Sequence, residues 1–211
     1  MIVDLEKLIP RERKDPPPER LDRLESHYAE RLKKYGYEPR DKEAFQKLAR
    51  YFGRYYAGLP LENGAKNDIT PPAKGLILFG PCGTGKTFAM RIFSGLFKVE
   101  IVSALELSQH FEIGGAAMFF ENAQNFNGKA LVIDEIGGER DTLSFGNKSP
   151  VIDFISKRED EYRLDRVLTF FTTNLKNREE LAARYGDRIT SRILGMCEPV
   201  MLKGRDWRHE R

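Results

Sequence analysis

The chain has 211 residues, 40% hydrophobic and 32% charged, which suits one well-packed domain with a short extension and a soluble surface. Its formal net charge of +3, from 35 Lys plus Arg against 32 Asp plus Glu, is too mild to establish nucleic-acid binding without a localised basic patch. The two cysteines, Cys82 and Cys197, form no C-x-x-C pair, which excludes a cysteine zinc knuckle and a disulfide framework.

Three prolines in Asp15-Pro16-Pro17-Pro18 imply an extended arm over 1–18. The N-terminus, Met1 to Glu6, lacks the basic and apolar regions of a signal peptide, and no apolar run reaches the length of a membrane span, so a cytoplasmic protein is expected. A first helix is predicted from near Glu19 to Gly36, with Leu21, Leu24, Tyr28 and Leu32 on one face and Arg20, Arg23, Glu30 and Lys34 on the other. A second is predicted from Asp41, as N-cap, to Ala57, its apolar positions being Phe45, Leu48, Ala49, Phe52 and Tyr56. The simpler expectation packs both helices on the domain that follows. The alternative gives the first helix or the proline arm a partner-docking role, and the chain divides accordingly into 1–40 and 41–211. A loop over Leu59–Ala73 leads to a first strand, Gly75–Phe79, and a helix through Phe88–Phe93. Further strands are predicted at Val99–Val102, Ala130–Asp134, Val167–Thr172 and Pro199–Leu202. Between them lie a helical stretch Ala104–Phe126 broken at Gly114-Gly115, a helix Pro150–Arg163 capped by Ser149, and helices Asn177–Tyr185 and Asp187–Leu194 split by Gly186. This alternation predicts an α/β fold with a parallel sheet between helices.

Gly80-Pro81-Cys82-Gly83-Thr84-Gly85-Lys86-Thr87 matches G-x-x-x-x-G-K-[ST] between the first strand and its helix. Glycines let backbone N–H groups surround an anion, and the helix N-terminus adds partial positive charge. Lys86 can reach the β- and γ-phosphates and the Thr87 hydroxyl can ligate Mg²⁺. Asp134-Glu135 ends a buried strand in two acids, a costly arrangement unless a cation sits opposite. Ligands gather at the carboxyl ends of parallel strands, so Asp134 is expected beside Thr87 on Mg²⁺ and Glu135 near an attacking water. Asn174, after Phe170-Phe171-Thr172-Thr173, can hydrogen-bond a γ-phosphate oxygen or simply cap the next helix. Arg188 and Arg192 share one helix face. They are either surface residues paired with Asp187 or Glu180, or one of them enters a neighbouring subunit's site to neutralise phosphate charge.

Together the Gly80–Thr87 loop (Walker A), Asp134-Glu135 (Walker B) and Asn174 (sensor 1) resemble the P-loop NTPases of the AAA+ class. The wording of Lys74–Pro81, Asp134-Glu135-Ile136-Gly137, Thr172-Thr173-Asn174-Leu175, Glu180–Arg192 and the tail Lys203-Gly204-Arg205-Asp206-Trp207-Arg208 is similar to the DnaC/DnaI helicase-loader and IstB transposition-helper group, with Trp207 where that group usually has Tyr. The resemblance covers about residues 45–208. It implies a five-stranded AAA+ core with a reduced or absent helical lid, ATP and Mg²⁺ as ligands, and ATP hydrolysis. It implies a trans-acting arginine finger at Arg188, with Arg192 as second choice, in an ATP-dependent homo-oligomer on single-stranded or duplex DNA. The partner it implies is a replicative helicase or, in the alternative, a transposase. Lys129, Lys148 and Lys157 are candidate DNA contacts without forming a strip. Readings of other classes are a nucleotide-gated scaffold with little turnover, which Glu135 opposes, and a small-molecule kinase, which leaves Asn174 and the Arg188/Arg192 helix without a purpose.

Overall fold

The computed structural model describes residues 17–37, 41–59, 72–112, 124–139, 150–204 and 206. Its elements in chain order are α1 (Pro18–Lys34), α2 (Lys42–Ala57), β1 (Gly75–Phe79), α3 (Lys86–Phe97), β2 (Glu100–Ser103), α4 (described over 104–112), β3 (Leu131–Ile136), α5 (Pro150–Asp165), β4 (Thr169–Thr173), α6 (Arg178–Met196) and β5 (Cys197–Met201). The strands form one five-stranded sheet, β2-β3-β4-β1-β5, in which every pair is parallel. This is the expected α/β architecture. β1 and β4 lie inside the sheet and are buried along their whole length. Pro199 is tolerated because β5 is an edge strand, where a missing N–H breaks no central ladder.

Successive side chains of β4 point to opposite faces. Phe170 meets an aromatic cluster of α2 and α3, with ring centroids 4.7 Å from Phe93 and 6.0 Å from both Tyr51 and Tyr55. Thr169, one residue earlier, faces Arg158 of α5, so α5 covers the other side. Tyr51 donates its hydroxyl to the Lys74 carbonyl at 2.7 Å, pinning α2 to the entrance of β1, and burial pushes its pKa up. α1 packs along α2 and buries Tyr28 and Leu32, with the Tyr28 ring 5.7 Å from Phe97. Its Arg20, Arg23, Glu30 and Lys34 are exposed.

Arg158 is the largest fully buried side chain. It donates to Thr169 Oγ1 at 2.9 Å, to the carbonyls of Phe126, Lys129 and Leu168 at 3.0, 2.8 and 3.1 Å, and to Glu161 at 2.6 Å. A guanidinium can leave water only when its donors are satisfied in this way. The clamp ties α5 to the residues that open β3 and β4. Burial lowers the pKa of Arg158 and raises that of Cys197, whose thiol donates to the Thr169 carbonyl.

Some boundaries differ from expectation. α1 starts at Pro18 because the first helical position needs no N–H. β4 starts at Thr169 rather than Val167, after the Leu168 carbonyl has accepted Leu131 N–H and Arg158. β3 runs two residues past Asp134, and β5 opens at Cys197. Phe126 lies in a turn rather than at the end of the predicted helical stretch. The 1–16 arm, Gly114-Gly115, the Ser149 cap, Lys148, Trp207 and Arg208 lie outside the described residues. Among the described residues no helix is long and apolar enough to cross a membrane.

Candidate active site at the phosphate loop

β1 ends at Phe79 and α3 begins at Lys86, so residues 80–85 must turn the chain from sheet edge to helix. Gly85, the N-cap of α3, is left-handed at φ 89°, and a Cβ there would approach the Tyr37 ring to 3.0 Å. Thr84 stiffens the turn by donating its hydroxyl to the Pro81 carbonyl at 2.9 Å. Lys86 is 5% exposed. Its ammonium donates to the carbonyls of Gly80 and Pro81, both at 2.7 Å, and to Asn174 Oδ1 at 2.9 Å. The positive end of the α3 dipole faces the same turn, so cation and dipole jointly favour an anion there.

The acids come from the next strand but one. Asp134 Oδ1 accepts from Thr87 Oγ1 at 3.0 Å and from Thr172 Oγ1 at 2.5 Å. Thr172 in turn accepts the Glu135 N–H at 2.8 Å. Glu135 Oε1 accepts from Asn174 Nδ2 at 2.7 Å. Asn174 therefore bridges Lys86 and Glu135, while Thr172 bridges Asp134 and the Glu135 backbone. The sheet order places β1 beside β4 and β4 beside β3, which brings three separated segments to one carboxyl edge. Glu135 has φ 62° and sits where the β3–β4 register shifts between Ile133 and Ile136. A non-glycine residue in this conformation is strained and needs its surroundings to hold it.

The Thr87 hydroxyl and Asp134 carboxylate are hard oxygen donors already in contact, the donor type Mg²⁺ takes. No group of three or more His, Cys, Asp or Glu gathers among the described residues. The oxygen pair fits a cation completed by phosphate and water oxygens rather than a full protein cage.

A cleft of about 500 Å³ opens over these groups, lined by Cys82, Lys86, Thr87, Glu135 and Asn174 among others. Its further walls went unpredicted. Thr172 and Phe88 line it, and the turn between α1 and α2 brings Tyr35 and Tyr37. Tyr37 is buried with its ring 6.0 Å from Phe88, and its hydroxyl has no hydrogen-bond partner among the described residues. Burial pushes its pKa up. The aromatic pair flanking Gly36 was the available signal, but nothing local says where that turn lands.

Other predicted residues fall elsewhere. Asn177, not Asn174, caps α6 by accepting from Glu180 N–H at 2.9 Å, so the capping alternative for Asn174 is not realised. Arg188 is exposed on the second half of α6 and has no ion pair among the described residues. Arg192 lies 3.9 Å from Glu159, and Glu180 pairs with Lys176 at 3.6 Å, so neither arginine takes the partners expected for a plain surface role. Neither lines the cleft. Lys129 pairs with Glu100 at 3.4 Å.

The family described as "ATPase family associated with various cellular activities (AAA)" matches residues 76–195. No curated protein matches the sequence. The fold is similar to that of the crystal structure of the DnaC helicase loader, with a TM-score of 0.55 at 21% identity over 81% of this chain and 99% of that one. It is also similar to the crystal structure of DnaI, with a TM-score of 0.57 at 20% identity over 77% of this chain and 84% of that one. The family match takes in the whole Lys86–Asn174–Glu135 and Thr87–Asp134 arrangement, and on it the chain belongs to the AAA family of ATPases.

Proposed function

We propose that this protein binds ATP with Mg²⁺ and hydrolyses it, and that it uses the cycle to grip and release DNA and a replicative helicase. The observation that carries the hydrolysis is the unbroken contact chain from Lys86 through Asn174 to Glu135, beside the Thr87–Asp134 pair. Lys86 and the 80–87 backbone bind the phosphates. Thr87 and Asp134 hold Mg²⁺, which when bound neutralises phosphate charge. Glu135 accepts a proton from the attacking water, and Asn174, whose amide reaches both Lys86 and Glu135, reads the γ-phosphate. Tyr37 and Phe88 give the cleft an apolar wall for the remainder of the nucleotide.

Arg188 lies outside its own cleft and exposed, which suits a residue that serves a neighbouring copy in an ATP-dependent homo-oligomer. The helicase-loader role is supported by the likeness in fold to the DnaC helicase loader. Residues 41–211 form the ATPase domain, and 1–40 dock the partner through the arm and the exposed face of α1.

The test is steady-state ATP hydrolysis with and without single-stranded DNA. Wild type should exceed Glu135→Gln at least ~10-fold. Equal rates in both conditions would end the enzyme reading and leave a scaffold. Mixing Lys86→Ala with Arg188→Ala should restore activity at shared sites, and no recovery at assembling concentrations would remove Arg188 from its role. A pull-down scored for helicase against transposase decides the partner.

A further inference from the structure

A second polar cluster lies behind the acids, outside the cleft. Glu139 is 4% exposed although it carries a carboxylate. Its Oε2 accepts the Gly137 N–H at 2.8 Å, and its Oε1 accepts the Tyr185 hydroxyl at 2.6 Å and Arg184 Nη2 at 3.4 Å. Arg184 also donates to the Glu139 carbonyl at 2.8 Å. The Tyr185 oxygen accepts the same Gly137 N–H at 2.7 Å, so two buried acceptors converge on one backbone donor. Burying a carboxylate is costly unless every oxygen is satisfied, and an apolar contact would fill the space between β3 and α6 at less cost. The arrangement needs a reason beyond packing.

That reason lies two residues upstream. Gly137 belongs to the turn that Gly138 N–H closes on the Glu135 carbonyl at 3.3 Å. Glu135 enters this turn in the left-handed region, a conformation that persists only where neighbouring bonds fix it. Thr172 fixes its N–H side. The Glu139–Tyr185 pair fixes the other side through Gly137. We infer that Glu139 and Tyr185 are positioning residues for hydrolysis: they hold the turn after β3 so that the Glu135 carboxylate stays aimed into the cleft. The inference rests on the proposed role of Glu135. Neither residue lines the cleft proposed to take the nucleotide.

The experiment compares Glu139→Gln, Tyr185→Phe, Glu135→Gln and the double variant Glu135→Gln/Glu139→Gln in the full chain. A fluorescent ATP analogue with Mg²⁺ gives affinity, and single-turnover hydrolysis with excess protein, followed over hours, gives rate. Gln cannot accept at both oxygens, so Glu139→Gln releases one arm of the turn. It should slow hydrolysis at least ~10-fold with Kd within ~3-fold, because small misplacement of a reacting group acts on rate rather than binding. Tyr185→Phe, which removes only one hydroxyl and decides alone if Glu139→Gln does not fold, should slow it ~3–10-fold. In the Glu135→Gln background the loss of Glu139 should cost less than ~2-fold, since there is no carboxylate left to aim.

Unchanged rates in Glu139→Gln and Tyr185→Phe, or Kd weakening in parallel with rate, would overturn the inference. So would a loss that persists undiminished in the Glu135→Gln background, which marks a merely structural role. If Glu135→Gln hydrolyses as fast as wild type, the role of Glu135 fails and this inference fails with it. If Glu135→Gln is slow and Glu139→Gln is not, only the positioning role fails.

Discussion

Thr172→Val removes one oxygen from the centre of the site and keeps the shape. Thr172 is 1% exposed, and its hydroxyl makes two contacts: it shares Asp134 with the Thr87 hydroxyl but alone accepts the Glu135 N–H. It donates to Asp134 Oδ1 and accepts the Glu135 N–H at 2.8 Å. The first is a bond to a charged group, contributing roughly 1.5–3 kcal/mol, and the second leaves a backbone donor unsatisfied, at roughly 1–3 kcal/mol. Overlap between the two brings the expected loss to about 2–4 kcal/mol, within the 5–15 kcal/mol typical of a domain, so the variant should still fold. In a chain of this length that is a fall in Tm of roughly 5–15 °C. Hydrolysis should fall further than nucleotide affinity, because Glu135 loses the bond that fixes its strained backbone. The assay is thermal unfolding beside Mg²⁺-dependent turnover, with Thr172→Ser as the control that keeps the hydroxyl. A valine variant as stable and as active as wild type, or a serine variant as damaged as valine, would refute the reasoning.

Two further outcomes follow from the fold. Arg158→Met strands Glu161 and four oxygens, so urea unfolding should show a loss of about 3–5 kcal/mol, with nucleotide Kd changed less than ~3-fold because the clamp sits at the far ends of the strands from the cleft. A loss below about 1 kcal/mol would contradict it. At the start of α4, Ser103 Oγ accepts Glu106 N–H at 3.0 Å and Glu106 accepts Ser103 N–H at 2.8 Å, a reciprocal cap whose loss in Ser103→Ala should cost about 1 kcal/mol. The Ser103 hydrogen bonds lower the Glu106 pKa. Its share of stability is therefore complete above the ordinary carboxyl pKa and is lost as pH falls through the lowered folded value, by a few tenths of a kcal/mol at this exposed site. Glu106→Gln should flatten that part of the Tm–pH curve, and an unchanged curve would exclude the effect.

The phosphate loop was legible because its chemistry is local: the glycines, Lys86 and Thr87 are consecutive, and flanking strand and helix read from periodicity. Asp134, Glu135 and Asn174 were legible as strand ends, since polar groups that close an apolar run contribute little to packing and so point to a ligand. Thr172 was hidden because a threonine in a buried strand is ordinary, and its hydroxyl matters only once β3 and β4 are neighbours. Glu139, Tyr185 and Arg158 were hidden for the same reason, since their partners lie up to 48 residues away. Tyr37 was missed because the turn after α1 carries no signal of where it docks. Arg188 was found as a motif residue, and its position outside the cleft needed the fold.

α6 is broken at Gly186, where the sequence predicts the split between two helices, and the break sets a requirement of handedness. Gly186 has φ 80° and ψ 160°, and a Cβ built on it meets nothing within 4 Å. Crowding does not select glycine here; chirality does. The geometry is the mirror image of ordinary extended backbone, open to a D residue and closed to an L one. A semisynthetic chain with D-alanine at 186 should therefore keep the bend, whereas L-alanine should straighten it and swing Arg188 away, with Ile189 and Ile193 dragged from the core. The aim of the exposed arginine is thus written in the absence of a stereocentre two residues before it.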